Sequence, residues 1–128
     1  MADYIATTVK NTTMDLVKVA ENAFGVENEL PVFKSGDTIT VHYKIKEGNK
    51  ERVQNFRGVV IQIKGKGNTK TFTVRKMSGN IGVERIFPMA SPFIDRVDIN
   101  KHGHVRRKRI FYLRNLTGKK ARIKEKRF

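Results

Sequence analysis

The residues best suited to chemistry in this chain are the cations of its last 28 positions. This segment, 101–128, holds twelve Lys or Arg and a single carboxylate, Glu125, so it carries +11 of the formal net charge of +15. So many like charges repel one another in free solution, whereas beside a phosphate backbone they gain free energy by displacing condensed counterions. The segment therefore predicts a polyanionic partner, and nucleic acid is the leading candidate.

Two dense clusters of cations stand out within it. The first, 106–109, is rich in Arg, whose planar guanidinium can bind phosphate through two hydrogen bonds or stack on a base. The second runs from 119 to 124. Solubility alone is a poor explanation for such density, so we predict phosphate binding. The predicted contacts in this segment are Arg106, Arg107, Lys108, Arg109, Lys119, Lys120, Arg122, Lys124, Lys126 and Arg127.

Aromatic residues inside this basic frame offer a second mode of binding. Phe111 and Tyr112 could stack on the bases of single-stranded RNA if they are exposed. We expect one of the two to pack back onto the body of the protein. No RNP-like aromatic motif is present, so recognition of RNA shape and backbone is favoured over sequence-specific reading of a single strand.

Further cations lie in the middle of the chain. Arg75 and Lys76 are adjacent in one predicted strand and should therefore point to opposite faces. Arg57 and Arg85 belong to neighbouring strands, so the body itself should carry positive patches. The lysines around the turn at 65–68 are explained equally well by solubility.

Residues that could support catalysis are few and poorly placed. His102 and His104 could in principle hold a metal, but no carboxylate is close to them in the sequence and their surroundings are cationic. The Gly-Lys-Gly-Asn stretch at 65–68 lacks the ending and the helix of a phosphate loop and predicts a hairpin turn. The three serines lie in turn sequences without a nucleophile elbow. We predict no enzyme, metal, cofactor or small-molecule substrate.

Composition restricts the class of protein further. A chain of 128 residues with 38% hydrophobic and 30% charged residues is apolar enough to form one folded domain, and a pI near 10.4 is unusual for a metabolic enzyme. The absence of Cys excludes a disulfide framework and suits a reducing compartment. No apolar run approaches the roughly 20 residues of a membrane span, and the start does not resemble a secretory signal. We expect a cytoplasmic location and no membrane partner.

The N-terminal zone, 1–31, has a net charge of -3 and contains one predicted helix. Thr12 followed by Asp15 is typical of a helix start, and apolar residues then recur at spacings near 3.6 until Gly25. The pattern predicts a short amphipathic helix from Thr13 to Phe24. We interpret its apolar stripe as a lid over one side of the core, with docking of a partner as the alternative.

The middle zone, 32–100, predicts a sheet. Apolar residues alternate with polar ones from residue 38 onwards, tight turns follow at 47–50, 65–68 and 79–80, and Gly58 suggests a bulge or bend. Closing a meander of short strands removes its unpaired edges, so we expect a small SH3-like or OB-like barrel. The strands are predicted at about 38–45, 52–64, 70–76, 81–87 and 93–99.

Alternation also assigns faces within these strands. His42 should lie on the wet face of the first strand. Shared faces are predicted for Val59, Ile61 and Ile63 and for Phe93, Val97 and Ile99. Pro88 and Pro92 should bracket an irregular crossing, because two backbone amides are missing there. Beyond residue 100 we expect extended chain with one or two short helical turns, an apolar anchor at 110–113, and a final shape adopted only on the partner.

A series of short motifs runs through the chain in order: FKSGDT at 33–38, FRGVVI at 56–61, FTVRKMS at 72–78, GVERIF at 82–87, SP at 91–92, YLR at 112–114 and GKKARIKE at 118–125. In combination they closely resemble the bacterial large-subunit ribosomal protein family numbered nineteen. The resemblance extends from about Leu16 to the C-terminus. Ala90 departs from it, since a His is expected before the SP motif, and the N-terminus is longer than the family's.

The resemblance implies a mainly β fold, namely a small SH3-like barrel with a short N-terminal helix and a basic, largely irregular C-terminal extension. It implies a structural role in the large ribosomal subunit. The family binds large-subunit RNA at the interface between subunits, meets small-subunit RNA in an intersubunit bridge, packs against the ribosomal protein numbered fourteen and helps to shape the aminoacyl-tRNA site. The family's basic motif positions fall here on Arg57, Arg75, Lys76, Arg85, Arg106, Arg107, Lys108, Arg114, Lys119, Lys120, Arg122 and Lys124.

Two other hypotheses compete with this interpretation. One is a free RNA-binding protein that acts as a chaperone or regulator. The other is a nucleic-acid-modifying enzyme whose motifs are not recognisable.

Overall fold

The protein is described by a computed structural model that covers residues 15–25 and 28–127. Its helix and strands are α1 (Leu16–Phe24), β1 (Thr38–Glu47), β2 (Lys50–Lys64), β3 (Thr71–Ser78), β4 (Ile81–Pro88) and β5 (Ile94–Lys101). Short 3-10 helices occupy Gly67–Thr69, Phe111–Asn115 and Gly118–Ala121. The prediction of a mainly β fold is confirmed, and all five predicted strands are present. Within these described ranges no helix has the length and apolarity to cross a membrane.

Helix α1 begins later than predicted. Asp15 is extended and forms the N-cap, because its carboxylate accepts a hydrogen bond from the Val17 amide at 3.2 Å. The predicted start at 12–14 lies outside the described residues. The interpretation of α1 as a lid is wrong for the part that is described, since none of its side chains is buried and Phe24 is 87% exposed. The Asn68 side chain donates to the Glu21 carbonyl and joins the helix to the turn after β2.

The five strands form one antiparallel sheet in the order β4-β3-β2-β1-β5. Two-residue turns join β1 to β2 and β3 to β4, as predicted, and Gly48 and Gly79 supply the positive φ angles, 59° and 63°, that such turns need. The predicted irregular crossing at 88–92 then carries the chain from β4 to β5, at the opposite edge of the sheet. Asn28 fixes this crossing by donating to the carbonyl oxygens of Met89 and Ser91.

The hydrogen-bonded sheet does not close, because β4 and β5 are not paired with each other in the part of the chain that is described. The sheet nevertheless curls around one core. Phe87 of β4 and Val97 of β5 belong to the same buried cluster, hereafter the main core, together with Phe33, Ile39, Val41, Phe56, Val60, Phe72, Val74 and Ile94.

Strand β2 is irregular at a different place from the one predicted. Gly58 pairs regularly with Ile39, and the register shift lies between Val60 and Gln62. Gly58 is required for a different reason, since a Cβ there would collide with the Arg75 carbonyl oxygen of the neighbouring strand. Because of this shift, Ile63 does not share a face with Ile61 as predicted. Ile63 packs against the main core, whereas Ile61 faces away from it.

Two further assignments are corrected in part. His42 lies on the face opposite to Ile39 and Val41, as alternation predicted, but it is buried there rather than wet, and its Nε2 lies 2.7 Å from Asp98 Oδ2 across the β1–β5 pair. Phe93 precedes β5 and is 45% exposed. A register shift opposite His42 and Tyr43 then places Ile94 and Val97, three residues apart, in the same core.

The segment 102–127 is irregular with short helical turns, as predicted, but it is already docked on the sheet. Ile110 and Leu113 are buried against Ile61, forming a second cluster on the opposite face of β2, and the Ile110 amide donates to the Ile61 carbonyl at 3.0 Å. The apolar anchor predicted at 110–113 therefore holds the segment to the sheet. The expectation that the segment takes its final shape only on its partner stays a prediction. A bridge between Gly103 and Glu125 joins the two ends of the segment.

Candidate nucleic-acid interface

Docking of the C-terminal segment separates its apolar residues from its cations. Ile110 and Leu113 point into the second cluster, and Ile123 and Leu116 pack against it. The cations of the segment are exposed. They are Arg106, Arg107, Lys108, Arg109, Arg114, Lys119, Lys120, Arg122, Lys124, Lys126 and Arg127.

The 106–109 cluster precedes the anchor directly. Because the Ile110 backbone is bonded to β2, the four cations before it are presented as a group at the surface. Arg107 lies over the ring of Tyr112, 5.7 Å from its centroid. Tyr112 is exposed, whereas Phe111 packs against the second cluster, so the prediction that one of these aromatics packs back is confirmed.

The cations of 119–124 are exposed because small or apolar residues alternate with them along the chain. Lys119 and Lys120 lie in the 3-10 helix Gly118–Ala121, whose last residue, Ala121, is half-buried. Arg122 and Lys124 then flank the half-buried Ile123 in extended chain. This order keeps small and apolar side chains on the sheet and turns the cations toward solvent.

Two of the predicted contacts are engaged by a carboxylate that the sequence analysis did not single out. Glu84 Oε1 accepts from Arg75 Nη1 and from Arg114 Nε, each at 2.8 Å, and Oε2 accepts from Arg114 Nη2 at 2.8 Å. Arg114 also lies over the ring of Phe111, 4.6 Å from its centroid. This cluster ties the β3–β4 hairpin to the docked segment.

These hydrogen bonds shift the pKa values of Glu84 and Arg114. Hydrogen bonds from Arg114 hold the pKa of Glu84 below its ordinary value of 4.5, with Arg75 adding to the effect and partial burial opposing it. The same bonds raise the pKa of Arg114. Glu84 is therefore ionised at neutral pH, and it neutralises part of the charge of the two guanidinium groups.

The remaining cations of the sheet differ in their surroundings. Lys76 lies over the Phe56 ring at 4.5 Å, on the face opposite to Arg75, as alternation predicted. Arg85 lies over Tyr43 at 4.2 Å and also contacts the ring of Phe87. Both cations are half-buried, whereas Arg57 is exposed.

The histidines are placed differently from what the sequence suggested. The fold brings the buried Asp37 to His102, with 3.5 Å between Oδ2 and Nδ1. Asp37 also accepts from the amides of Lys34 and Gly103, so it fastens the start of β1 to the C-terminal segment. No group of three or more potential metal-binding side chains occurs within 15–25 and 28–127.

Comparison with known proteins decides the family. A family model described as Ribosomal protein L19 matches residues 15–126, which include both cationic clusters. The chain belongs to the ribosomal protein L19 family. It is 69% identical over 114 residues to large ribosomal subunit protein bL19 of Parabacteroides distasonis, a match that covers 89% of this chain and 99% of that relative. The bL19 protein of Phocaeicola vulgatus is 65% identical over 114 residues, covering 89% and 97%.

Membership of the L19 family confirms the predicted resemblance and the predicted class. The chain is a structural constituent of the large ribosomal subunit and not an enzyme. It works in translation, in cytoplasmic ribosomes, in association with ribosomal RNA and other ribosomal proteins.

Proposed function

We propose that this L19 family protein binds large-subunit ribosomal RNA at the interface between subunits through its basic extension, 101–128. From there it reaches small-subunit RNA in an intersubunit bridge and helps to shape the aminoacyl-tRNA site. The observation that carries the proposal is the outward presentation of the two cationic clusters by a segment whose apolar residues are fastened to the sheet.

Docking matters for the energetics of binding. A disordered basic tail loses conformational entropy when it binds, whereas a docked segment has already lost much of it. The exposed Arg side chains of 106–109 and the cations of 119–124 are therefore partly preorganised for phosphates. The alternative of a free chaperone gains nothing specific from such a fixed arrangement.

The sheet supports the predicted architecture. The two outer strands share the main core although they are not hydrogen-bonded to each other. We assign this curled five-stranded sheet to the SH3-like barrel class, as the family resemblance implies. In this assignment Arg57, Arg75, Lys76 and Arg85 extend the RNA-binding surface onto the strands.

A different surface, the edge of strand β4, is suited to binding the ribosomal protein of the family numbered fourteen. Strand β4 ends the sheet, and Ile81, Val83 and Ile86 are exposed along it. An edge strand with exposed apolar side chains suits a protein partner, which can add a strand through backbone hydrogen bonds and cover those side chains.

The RNA contact is tested by replacing Arg106, Arg107, Lys108 and Arg109 together with Ala. We expect weaker binding to large-subunit RNA and a log-log salt dependence that is shallower by as much as about 4, because each of the four lost phosphate contacts removes close to one released counterion. The matched control replaces Lys44, Lys46, Lys50 and Arg52, four exposed cations of the β1–β2 hairpin. Equal slopes for the two variants would contradict a specific role for 106–109.

The ribosomal role is separated from that of a free RNA chaperone by density-gradient fractionation of a lysate. A structural component should sediment with large subunits after a moderate salt wash. Recovery of the protein only in ribosome-free fractions would overturn the proposal.

The protein interface is tested by Ile81→Lys with Ile86→Lys. Both side chains are exposed, so the free energy of unfolding should change by less than about 0.5 kcal/mol per site. Binding to the family-fourteen protein should weaken, whereas binding to RNA should not. Unchanged protein binding would exclude the β4 edge as this surface.

A further inference from the structure

A groove of about 340 Å³ lies where the docked segment meets the sheet. Val59 of β2 forms one part of its lining, and Leu113 and Leu116 of the C-terminal segment form another. These side chains belong to the second cluster or pack against it, so the floor of the groove is apolar and fixed in position. The groove is open to solvent between the sheet and the 3-10 helix Gly118–Ala121, whose Ala121 also lines it.

Part of the groove wall is formed by Arg75, whose guanidinium group is held still. Arg75 lines the groove, is half-buried and donates to Glu84 Oε1 at 2.8 Å. Glu84 is fixed in turn by its two hydrogen bonds with Arg114. A guanidinium held in this way presents a flat polar surface beside an apolar floor, which is a combination that stacks well on a nucleobase.

The rim carries a cation that is available for an anion. Arg57 is exposed, and it makes no hydrogen bond or ion pair with any other residue in the described ranges. Lys76 contributes to the lining, although its ammonium group lies over the Phe56 ring on the opposite face, and no carboxylate lines the groove. Lys119 and Lys120 directly precede Ala121 in the chain. A ligand that suits this groove therefore has a flat, partly apolar part and a negative charge beside it.

We propose that the groove binds a single unstacked nucleotide of ribosomal RNA, with its base against Val59, Leu116 and the Arg75 guanidinium and its phosphate on Arg57. This rests on the proposed RNA-binding function and adds a defined nucleotide subsite to it. The absence of a lining carboxylate and the cations at the rim favour a nucleotide over an apolar side chain from a protein.

The subsite is tested in the full-length chain by methyl NMR titration with adenosine 5′-monophosphate and cytidine 5′-monophosphate. The methyl groups of Val59, Met77, Leu113 and Leu116 should shift, and ribose 5-phosphate should bind about tenfold more weakly, which is the size of one base-stacking contact. Equal binding of ribose 5-phosphate, or no shift with either nucleotide, would overturn the subsite. So would binding of N-acetyl-leucine amide in place of the nucleotides.

A variant pair separates the subsite from general RNA binding. Ala121→Phe should fill the groove and abolish the nucleotide-induced shifts, whereas Thr117→Phe adds the same ring to an exposed residue that does not line the groove. Thermal unfolding of both variants checks that they are folded. Ala121→Phe should keep the salt-dependent binding to large-subunit RNA. Retained nucleotide shifts in Ala121→Phe would refute the subsite, while failure of the unsubstituted chain to bind the RNA would refute the proposed function.

Discussion

At the scale of single residues, Glu84 divides the predicted RNA-binding cations into two kinds. Arg75 and Arg114 are bonded to it and connect the β3–β4 hairpin with the docked segment. Arg57 and the cations of 106–109 have no carboxylate partner among the described residues. We therefore expect the first group to affect both stability and binding, and the second group to affect binding alone.

Glu84→Gln should lower the free energy of unfolding by about 1 to 2 kcal/mol at pH 7, since it removes charged hydrogen bonds at a half-buried site. The pKa of Glu84 is depressed in the folded state, so its stabilising effect is present above pH 4.5 and is lost as the pH falls through the lower folded value. Urea denaturation from pH 7 to pH 3 should show the two proteins converging. A difference that grows toward acid pH would contradict this assignment.

Sequence alone could identify the cations as a group but not their partners. The density of Lys and Arg in 101–128 and the alternation around Arg75 and Lys76 are local patterns, and both led to correct statements about exposure and faces. The contact between Glu84 and Arg114 joins residues 30 positions apart and depends on how the segment docks. The same holds for Asp37, which approaches His102 only in the folded chain.

At the scale of elements, strands were predictable and their irregularities were not. Period-two alternation and glycine turns are local, so the five strands and both hairpins were placed correctly. The shift in β2 lies at Val60–Gln62 rather than at Gly58, and it places Ile63 against the main core while Val59 and Ile61 stay together at the second cluster. Helix α1 was predicted to pack on the core, but its apolar side chains are exposed. A periodic apolar stripe predicts a helix and does not show whether another element covers that stripe.

The docked segment behaves as part of the core and not as a free arm. Ile110 is fully buried against Ile61, so Ile110→Ala should lower the free energy of unfolding by about 2 to 4 kcal/mol. The control, Ile86→Ala, changes a side chain that is 65% exposed and should cost less than about 0.5 kcal/mol. Guanidinium denaturation measures both. A neutral Ile110→Ala would mean that the segment is not packed on the sheet in solution.

At the scale of the whole molecule, charge opposes the fold that the apolar clusters stabilise. Of the net charge of +15, +11 lies in 101–128, and the described part of this segment packs against a sheet that is itself basic. Within the described chain Glu84 is the carboxylate that bonds to a guanidinium of this segment, that of Arg114. The free protein therefore retains repulsion that bound RNA would relieve.

The midpoint of thermal unfolding should consequently rise by a few degrees as NaCl increases from 0.01 M to 0.15 M, because the Debye length falls from about 30 Å to about 8 Å. Circular dichroism follows the transition. The variant that lacks Arg106, Arg107, Lys108 and Arg109 has less repulsion to screen, so its midpoint should rise less. A midpoint that falls with salt would show that attractive ion pairs outweigh the repulsion.

Strand β2 separates two apolar clusters, and consecutive residues serve both of them. Val60 is fully buried in the main core and Ile61 in the second cluster, so the peptide unit between them supports both clusters. Neither cluster can come apart without disturbing the backbone that supports its neighbour. Calorimetry should accordingly record one heat-absorption peak whose van't Hoff and calorimetric enthalpies agree, with the C-terminal stretch melting cooperatively with the strands.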